Sequence, residues 1–331
     1  MILALPANAA CTGNNPMDPE LVDTPPLDNS IRALIELAVS EDLGALPRSG
    51  KTAVELDRTV HLAIPDDQKA AGNIVARAAG VICGTVILPQ VLSYYDSRLK
   101  CTAHISDGRP VEPGAIIAHI AGPAGALLSA ERVVLNFLGH LSGIATLTRQ
   151  FVLAAGHGAI HPGQGLVCDT RKTTPGWRTL EKYAVRCGGG VNHRMGLYDG
   201  VMLKDNHLAA LRRKGGTHLS LADITRKVRA EMPPHITLWL EVDTLAQLQE
   251  ALPGAADIIL LDNMPAEQLR RAVFLRDGCR RGGPPLLEAS GGVTLQNIAA
   301  MAATGVDRIS VGALTHSAPG LDVAMDVIEN D

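Results

Sequence analysis

The chain has 331 residues, 46% hydrophobic and 19% charged, with a formal net charge of −4. That length holds two domains or one barrel with additions, and the acidic balance speaks against a long nucleic acid as ligand. Aromatic residues make up only 3%, which leaves little surface for base stacking, and no apolar run approaches the ~20 residues that cross a bilayer.

No Lys or Arg precedes Arg32, so the apolar first residues match neither a secretory signal nor an Arg-rich transit peptide. Residues 1–26 read as a mobile tail of Pro, Asn and Asp, and the protein as cytoplasmic. The six cysteines are Cys11, Cys83, Cys101, Cys168, Cys187 and Cys279. None forms a CxxC pair, so they read as free thiols in a reducing compartment, neither zinc framework nor disulfide scaffold. Cys168 and Cys187 flank a basic cluster, but no dedicated base for a catalytic thiol is evident.

Leu27 to Leu43 reads as a helix. Ile31, Leu34, Ile35 and Ala38 share one face, Asp28 is the cap and Gly44 the stop. Residues 44–58 read as a loop. Strands are expected over Val60–Ile64, Gly72–Ala78, Val81–Ile87, Thr102–Ile105 and 115–122, with the turn-rich DGRPVEPG (107–114) before the last. This is an antiparallel sheet with one or two helices. A helix over 130–155, capped by Ser129, opens the second region. Strands Gly165–Asp169, Gly200–Lys204, Thr237–Val242, Asp257–Leu261, Leu286–Ala289 and Arg308–Val311 follow. Helices lie between them, at Leu221–Met232, Leu245–Leu252, Ala266–Arg276 and Leu295–Thr304. A last helix is expected over Leu321–Ile328. Regular alternation means right-handed βαβ units and a parallel sheet.

Nearly every strand of this second region ends in polar residues, which favours an α/β barrel with its loops converging on one pocket. Asp169 to His207 carries Arg171, Lys172, Arg178, Lys182, Arg186, Arg194 and Lys204 with His193 and His207. On an acidic protein such a cluster suits a small polyanion. Arg171 can grip a carboxylate or phosphate through two parallel hydrogen bonds. His193 can bond a carboxylate or merely satisfy a backbone carbonyl. Glu241 and Asp262 end apolar strands, where a carboxylate needs partners. An ion pair with Lys204 is one account of them; metal or sugar binding, or stabilising a positive transition state, is the other. Ser290-Gly291-Gly292 and Val311-Gly312-Ala313 are turns that let backbone N–H groups approach a phosphate. Gly50-Lys51-Thr52 lacks the earlier glycine in register for a phosphate loop, and no GxGxxG follows a strand.

Seven runs resemble the quinolinate phosphoribosyltransferase family, in that family's order. They are ERVVLNFLGHLSGIAT (131–146), DTRKTTPGWRTLEKYAV (169–185), GGGVNHRMGLYDGVMLKDNH (188–207), EVDTLAQL (241–248), ILLDN (259–263), EASGGVTLQNI (288–298) and GVDRISVGALTHSAPGLD (305–322). The resemblance implies an incomplete, about seven-stranded α/β barrel over 130–314. It also implies an N-terminal open α/β sandwich over 27–129, on which 315–331 packs. The implied reaction joins quinolinate and phosphoribosyl pyrophosphate, with Mg2+, giving nicotinate mononucleotide, pyrophosphate and CO2 in NAD synthesis. The minimal unit implied is a homodimer with shared sites.

Carried over by position, Thr170, Arg171, Lys172, His193, Arg194 and Lys204 resemble the grip on quinolinate and pyrophosphate. Arg132 resembles the arginine lent by the partner subunit. Glu241 and Asp262 match the carboxylates near the ribose and its metal, bound directly or through substrate or water; with Lys204 they are the expected catalytic groups. Ser290, Gly291, Gly292, Val311, Gly312 and Ala313 match the loops around the 5-phosphate. One departure is visible: after Glu41-Asp42-Leu43-Gly44 the family soon enters a Gly-Asp-x-Thr segment, whereas here ALPRSGKTAVELDRTVHLAIP follows.

Overall fold

A computed structural model describes residue 25 and residues 28–47, 52–156, 166–212, 219–279 and 283–328. The expected tail, apart from Pro25, lies outside the described residues, as do Gly50-Lys51 and Gly165. The first region contains α1 (Asn29–Leu43), α2 (Ala53–Leu56), α3 (Arg58–Ala63), β1 (Lys69–Ala76), β2 (Gly80–Val81), α4 (Leu88–Tyr95), β3 (Lys100–Ala103), β4 (Pro110–Val111), β5 (Ile116–Pro123) and the long α5 (Ala124–Ala154). The second contains β6 (Val167–Cys168), α6 (Arg178–Cys187), β7 (Gly200–Leu203), α7 (Asp205–Arg212), α8 (Leu221–Glu231), β8 (Thr237–Val242), α9 (Leu245–Ala251), β9 (Ile258–Asp262), α10 (Ala266–Asp277), β10 (Leu286–Ser290), α11 (Ile298–Ala302), β11 (Arg308–Ser310), α12 (Ala313–His316) and β12 (Val323–Ile328).

α1 forms for the reasons its sequence gives. Asp28 accepts from the N–H groups of Ser30 and Ile31 at 2.9 and 3.0 Å, and Gly44 takes the left-handed φ of 73° that ends the helix. Ile31, Leu34, Ile35 and Val39 are its buried side chains; Ala38, expected on that stripe, is only partly covered.

Several expectations for the first region are corrected. Val60–Ala63 lies in helix α3, with Ile64 as its C-cap, and not in a strand. Asp57 caps it by accepting from Thr59 and Val60 N–H at 3.0 and 3.1 Å, and that cap outweighs the strand preference of Thr59 and Val60. The expected loop 44–58 contains α2, started by a capping box of Thr52 and Glu55. Of Val81–Ile87 only the first residue is strand; Asp107 then accepts from Gly84 N, Thr85 N and Thr85 Oγ1, and folds the chain into a 3-10 turn. α5 begins at Ala124, straight after Pro123, so Ser129 is no cap: it is buried within the helix and donates to Asp57 at 2.9 Å. Leu321–Ile328 is no helix, since its C-terminal part is β12.

β12, β1, β5 and β3 form an antiparallel sheet in that order, so the C-terminal strand pairs with the first. The second sheet is six-stranded and parallel, in the order β6-β11-β10-β9-β8-β7. Its apolar strands are covered by the helices between them, and Leu240, Ile259, Leu261, Leu287, Ala289 and Ile309 are fully buried. No helix of the described residues is long and apolar enough to cross a membrane.

α5 connects the two sheets. Its 31 residues span about 46 Å at ~1.5 Å each. It receives the C-terminal segment closely: Leu321 N–H donates to Gly139 O at 2.9 Å, and a Cβ at Gly143 would stand 2.1 Å from the Pro319 carbonyl oxygen. Gly143→Ala is therefore expected to lower stability by about 1–3 kcal/mol through overpacking, although alanine is the better helix former. Chemical denaturation measures this, and an unchanged midpoint would contradict it.

Candidate active site

Because the six strands run parallel, their C-terminal ends share one edge. Asp169 to Lys172 follow β6, Lys204 follows β7, Glu241 is next to last in β8, and Asp262 and Ser290 end β9 and β10. Val311-Gly312 follow β11. Sequence-predicted site residues other than Arg132, His193 and Arg194 thus lie at these strand ends, while His193 and Arg194 sit in the segment before β7, where Arg194 bonds Gly200.

Beneath them lies a buried ionic layer. Asp169 and Lys182 are both fully buried and pair directly. Asp169 also accepts from His193 N–H at 2.8 Å and Asn192 Nδ2 at 2.6 Å, while Lys182 donates to the His193 carbonyl at 3.0 Å. Burial pushes the Asp169 carboxyl up and the Lys182 ammonium down, and their mutual attraction opposes both shifts. The result is a fixed position for the loop that carries His193 and Arg194.

His193 is buried as well. Its Nδ1 accepts from Arg194 N–H at 2.7 Å, which leaves the ring proton on Nε2, 3.4 Å from Glu288. The ring stacks on Trp239, with centroids 4.6 Å apart. Both ring nitrogens therefore face the protein. Glu288, wholly buried, also accepts from Ser310 Oγ and from Trp239 Nε1 at 3.4 Å, and forms an ion pair with Arg308, whose Nε lies 3.3 Å away without a hydrogen bond. Burial is the largest single influence on its carboxyl and pushes it up. His193, Arg308 and Ser310 together outweigh that and hold it below the usual range. Beside Arg308, burial pushes the Cys168 thiol up to about 12, so it is a neutral core thiol and no nucleophile.

Above this layer stand the free cations. The Arg194 guanidinium is held below its ordinary value, first by burial and then by the charge of Arg171. The Arg171 charge thus opposes that of Arg194, while Asp199 acts in the other direction. Arg194 donates once to Gly200 O at 2.8 Å, whereas Arg171 Nε is buried without a hydrogen-bond partner. A buried donor left so costs on the order of 1–3 kcal/mol, and an anion relieves both this and the repulsion. Lys172 N–H donates to Thr170 Oγ1 at 3.0 Å, and its side chain passes Gly312, where a Cβ would lie 3.2 Å from its Cδ. Thr315 Oγ1 donates to the Lys172 carbonyl at 2.7 Å, joining the loops after β6 and β11. Val311 is buried and can offer a ligand only its backbone; Ala313 opens the short α12.

Lys204 pairs with Glu241, so the ion pair weighed from sequence is present, with the lysine half exposed. Glu241 lines a small pocket with Asp205, Asp243 and Gln247. Asp262 accepts from Asn263 Nδ2 at 2.7 Å, next to the Ser290-Gly291-Gly292 turn. Arg132 stands apart, exposed on α5 in a groove with Asn136, His140 and 320–323. Among the described residues, Cys83, Asp107 and Cys187 group within 4.8 Å. The Asp107 oxygens there are taken by Gly84, Thr85 and Tyr183, which leaves an ion no carboxylate lone pair.

Lys182, read from sequence as part of the polyanion cluster, is instead fully buried against Asp169, and Asp169, Trp239, Asn263 and Glu288 are absent from the sequence-predicted site. For Asp169 and Glu288 the signal was available: each is an acid in or after an apolar strand, the pattern that singled out Glu241 and Asp262.

Two family models match the chain: the N-terminal domain of quinolinate phosphoribosyl transferase over residues 57–142 and its C-terminal domain over 144–326. The probable nicotinate-nucleotide pyrophosphorylase (carboxylating) of Bacillus subtilis is 43% identical over 79% of this chain and 84% of that one. That of Mycobacterium leprae is 40% identical over 90% and 98%. The crystal structure of NadC from Streptococcus pyogenes is 35% identical, with a TM-score of 0.78 over 93% of this chain and 99% of that one. The chain belongs to the quinolinate phosphoribosyltransferase family. The stability of the buried ionic layer is measurable. Glu288 is depressed in the folded state, so its contribution is present above its ordinary value of 4.5 and is lost as pH falls through the lower folded value. Glu288→Gln is expected to cost about 3–5 kcal/mol near neutral pH by leaving Arg308 unpaired. The difference from wild type should shrink below the ordinary value. A gap in denaturant stability that stays constant with pH would contradict this.

Proposed function

We propose that the chain transfers phosphoribosyl from phosphoribosyl pyrophosphate to quinolinate with loss of CO2, giving nicotinate mononucleotide and pyrophosphate, and that Arg171 and Arg194 grip the two acceptor carboxylates. The observation that carries this is the adjoining pair of guanidiniums with a buried, unbonded Arg171 Nε. A dicarboxylate answers both charges at once. Lys172 extends the positive field toward the turn at Gly312, where the donor's phosphate groups fit. His193 takes part by holding the Arg194 backbone and its loop.

Glu241 and Asp262 stand at neighbouring strand ends, suited to the positive charge that builds on the anomeric carbon as the carbon–nitrogen bond forms. Lys204, paired with Glu241, holds that carboxylate in orientation. Glu241, which shares a pocket with Asp205 and Asp243, offers hard oxygen donors of the kind that suit Mg2+, an ion that keeps several waters and binds mainly through substrate phosphates. Bound there, Mg2+ would neutralise charge on the departing pyrophosphate. CO2 leaves after the ring nitrogen becomes cationic, and no covalent nucleophile is required.

We read the six-stranded sheet as an incomplete barrel. Val191 bridges Cys168 in parallel on the free side of β6 and supports a seventh, one-residue strand between β6 and β7. We assign residues 27–129 and 315–331 to the sandwich domain and 130–314 to the barrel. β12 in the first sheet supports the C-terminal assignment. The protein is read as cytoplasmic and as a homodimer in which Arg132, remote from its own cluster, completes the partner's site.

The reaction is tested by incubating purified protein with quinolinate, phosphoribosyl pyrophosphate and Mg2+ and following nicotinate mononucleotide and CO2. Equimolar formation of both is expected; absence of product overturns the reading. Sharing of the site is tested by mixing Arg132→Ala and Lys204→Ala chains, each inactive alone. Random pairing should restore about one quarter of wild-type activity, since mixed dimers keep one intact site. No recovery refutes sharing.

A further inference from the structure

Asp262 is followed by Asn263, whose φ is 53°. Among the described residues it is the non-glycine residue with positive φ, a conformation that persists where its surroundings over-determine it and that clusters at functional sites. Three contacts meet there. Asn263 N–H donates to the Ser290 carbonyl at 2.8 Å, one step past the last paired residues of β9 and β10, Asp262 and Ser290. Its Nδ2 donates to Asp262 Oδ2 at 2.7 Å. Its Oδ1 lies against Gly291, where a Cβ would sit only 2.1 Å from that oxygen. Gly291 itself has φ 92°, so both its conformation and its neighbour require glycine. Asn263 is exposed, so burial is not what holds it in this conformation.

We propose that Asn263 is a positioning residue that locks the Asp262 carboxylate to the Ser290-Gly291-Gly292 turn, so that both meet the phosphoribosyl donor as one unit. This rests on the reading of Asp262 at the ribose and of the turn at the 5-phosphate. The bond from Nδ2 occupies one carboxylate oxygen and fixes the plane of the group, leaving the other oxygen for a ribose hydroxyl or the donor's cation. The backbone bond to Ser290 sets the spacing between the two loops. Asparagine suits the position because it tolerates left-handed φ and carries the amide donor in a short side chain.

The test uses two variants that tolerate the backbone. Asn263→Gly keeps the conformation and removes the side chain; Asn263→Asp keeps the shape and replaces the donor with a second carboxylate. Each is expected to lower kcat/KM for phosphoribosyl pyrophosphate by about 10-fold or more, the scale of one hydrogen bond to a charged group. The Kd for quinolinate alone should stay unchanged. If Asn263 acts through Asp262, adding Asn263→Gly to Asp262→Asn should cause no further loss. Wild-type donor kinetics in both variants, or losses that multiply in the double variant, overturn the proposal. A crystal structure of Asn263→Gly decides the matter independently of turnover. A turned Asp262 carboxylate and a shifted 290–292 turn support positioning, and an unmoved pair overturns it. If the wild type forms no product, the functional reading fails while this structural outcome still stands.

Discussion

Burying Asp169 and Lys182 together strips both of hydration, a cost of several kcal/mol per ion that only close pairing and further hydrogen bonds can offset. The site is built around that requirement. Asp169 fills its remaining lone pairs with His193 N–H and Asn192 Nδ2, and Lys182 spends a second donor on the His193 carbonyl. Satisfying the pair thus fixes the loop that presents Arg194. The position of Arg194 depends on an ion pair that itself touches no solvent.

A second buried charge lies alongside. Glu288 is held by His193, Trp239, Ser310 and Arg308, and it orients the imidazole whose other nitrogen receives Arg194 N–H. Each buried carboxylate in this layer has its own cation, Asp169 with Lys182 and Glu288 with Arg308, so the layer is charge-balanced and leaves Arg171 and Arg194 unneutralised by it. An unbonded Arg171 Nε beside a second guanidinium is a setting in which a dianionic ligand would gain, as the proposed acceptor grip requires. On the other side of the edge, Lys204–Glu241 and Asn263–Asp262 hold their carboxylates in fixed directions. Such preorganisation lets fixed charges act on a developing positive centre without first rearranging.

The parallel sheet was legible because its strands are covered on both faces. Continuous runs such as Leu238-Trp239-Leu240 and Ile258 to Leu261 end abruptly in an acid, marking both the strand and the edge where the site lies. The first region was harder. There Asp57 turns Thr59-Val60 into a helix, Asp107 folds residues 84–87 into a turn, and Val323–Ile328 is a strand only because β1 offers it an edge. Side-chain oxygens and distant partners make those choices, and local preference does not report them. At the site, charge type and strand-end position revealed the cations and carboxylates. The left-handed turn at Asn263, the stacking of His193 on Trp239 and the inward aim of both imidazole nitrogens arise only once three strands lie side by side. The separation of Arg132 from the other cations was likewise invisible in a single chain's order.

The central claim is that Arg171 and Arg194 together select a dicarboxylate. Calorimetric titration of quinolinate and of nicotinate, which lacks one carboxylate, into wild type, Arg171→Ala and Arg194→Ala tests it most directly. The account predicts that wild type prefers quinolinate and that each substitution weakens it by about 10-fold or more, the loss of one charge-assisted contact. Nicotinate binding should change less in at least one of the two variants. Equal wild-type affinity for the two pyridines, or quinolinate binding untouched by either substitution, would contradict it.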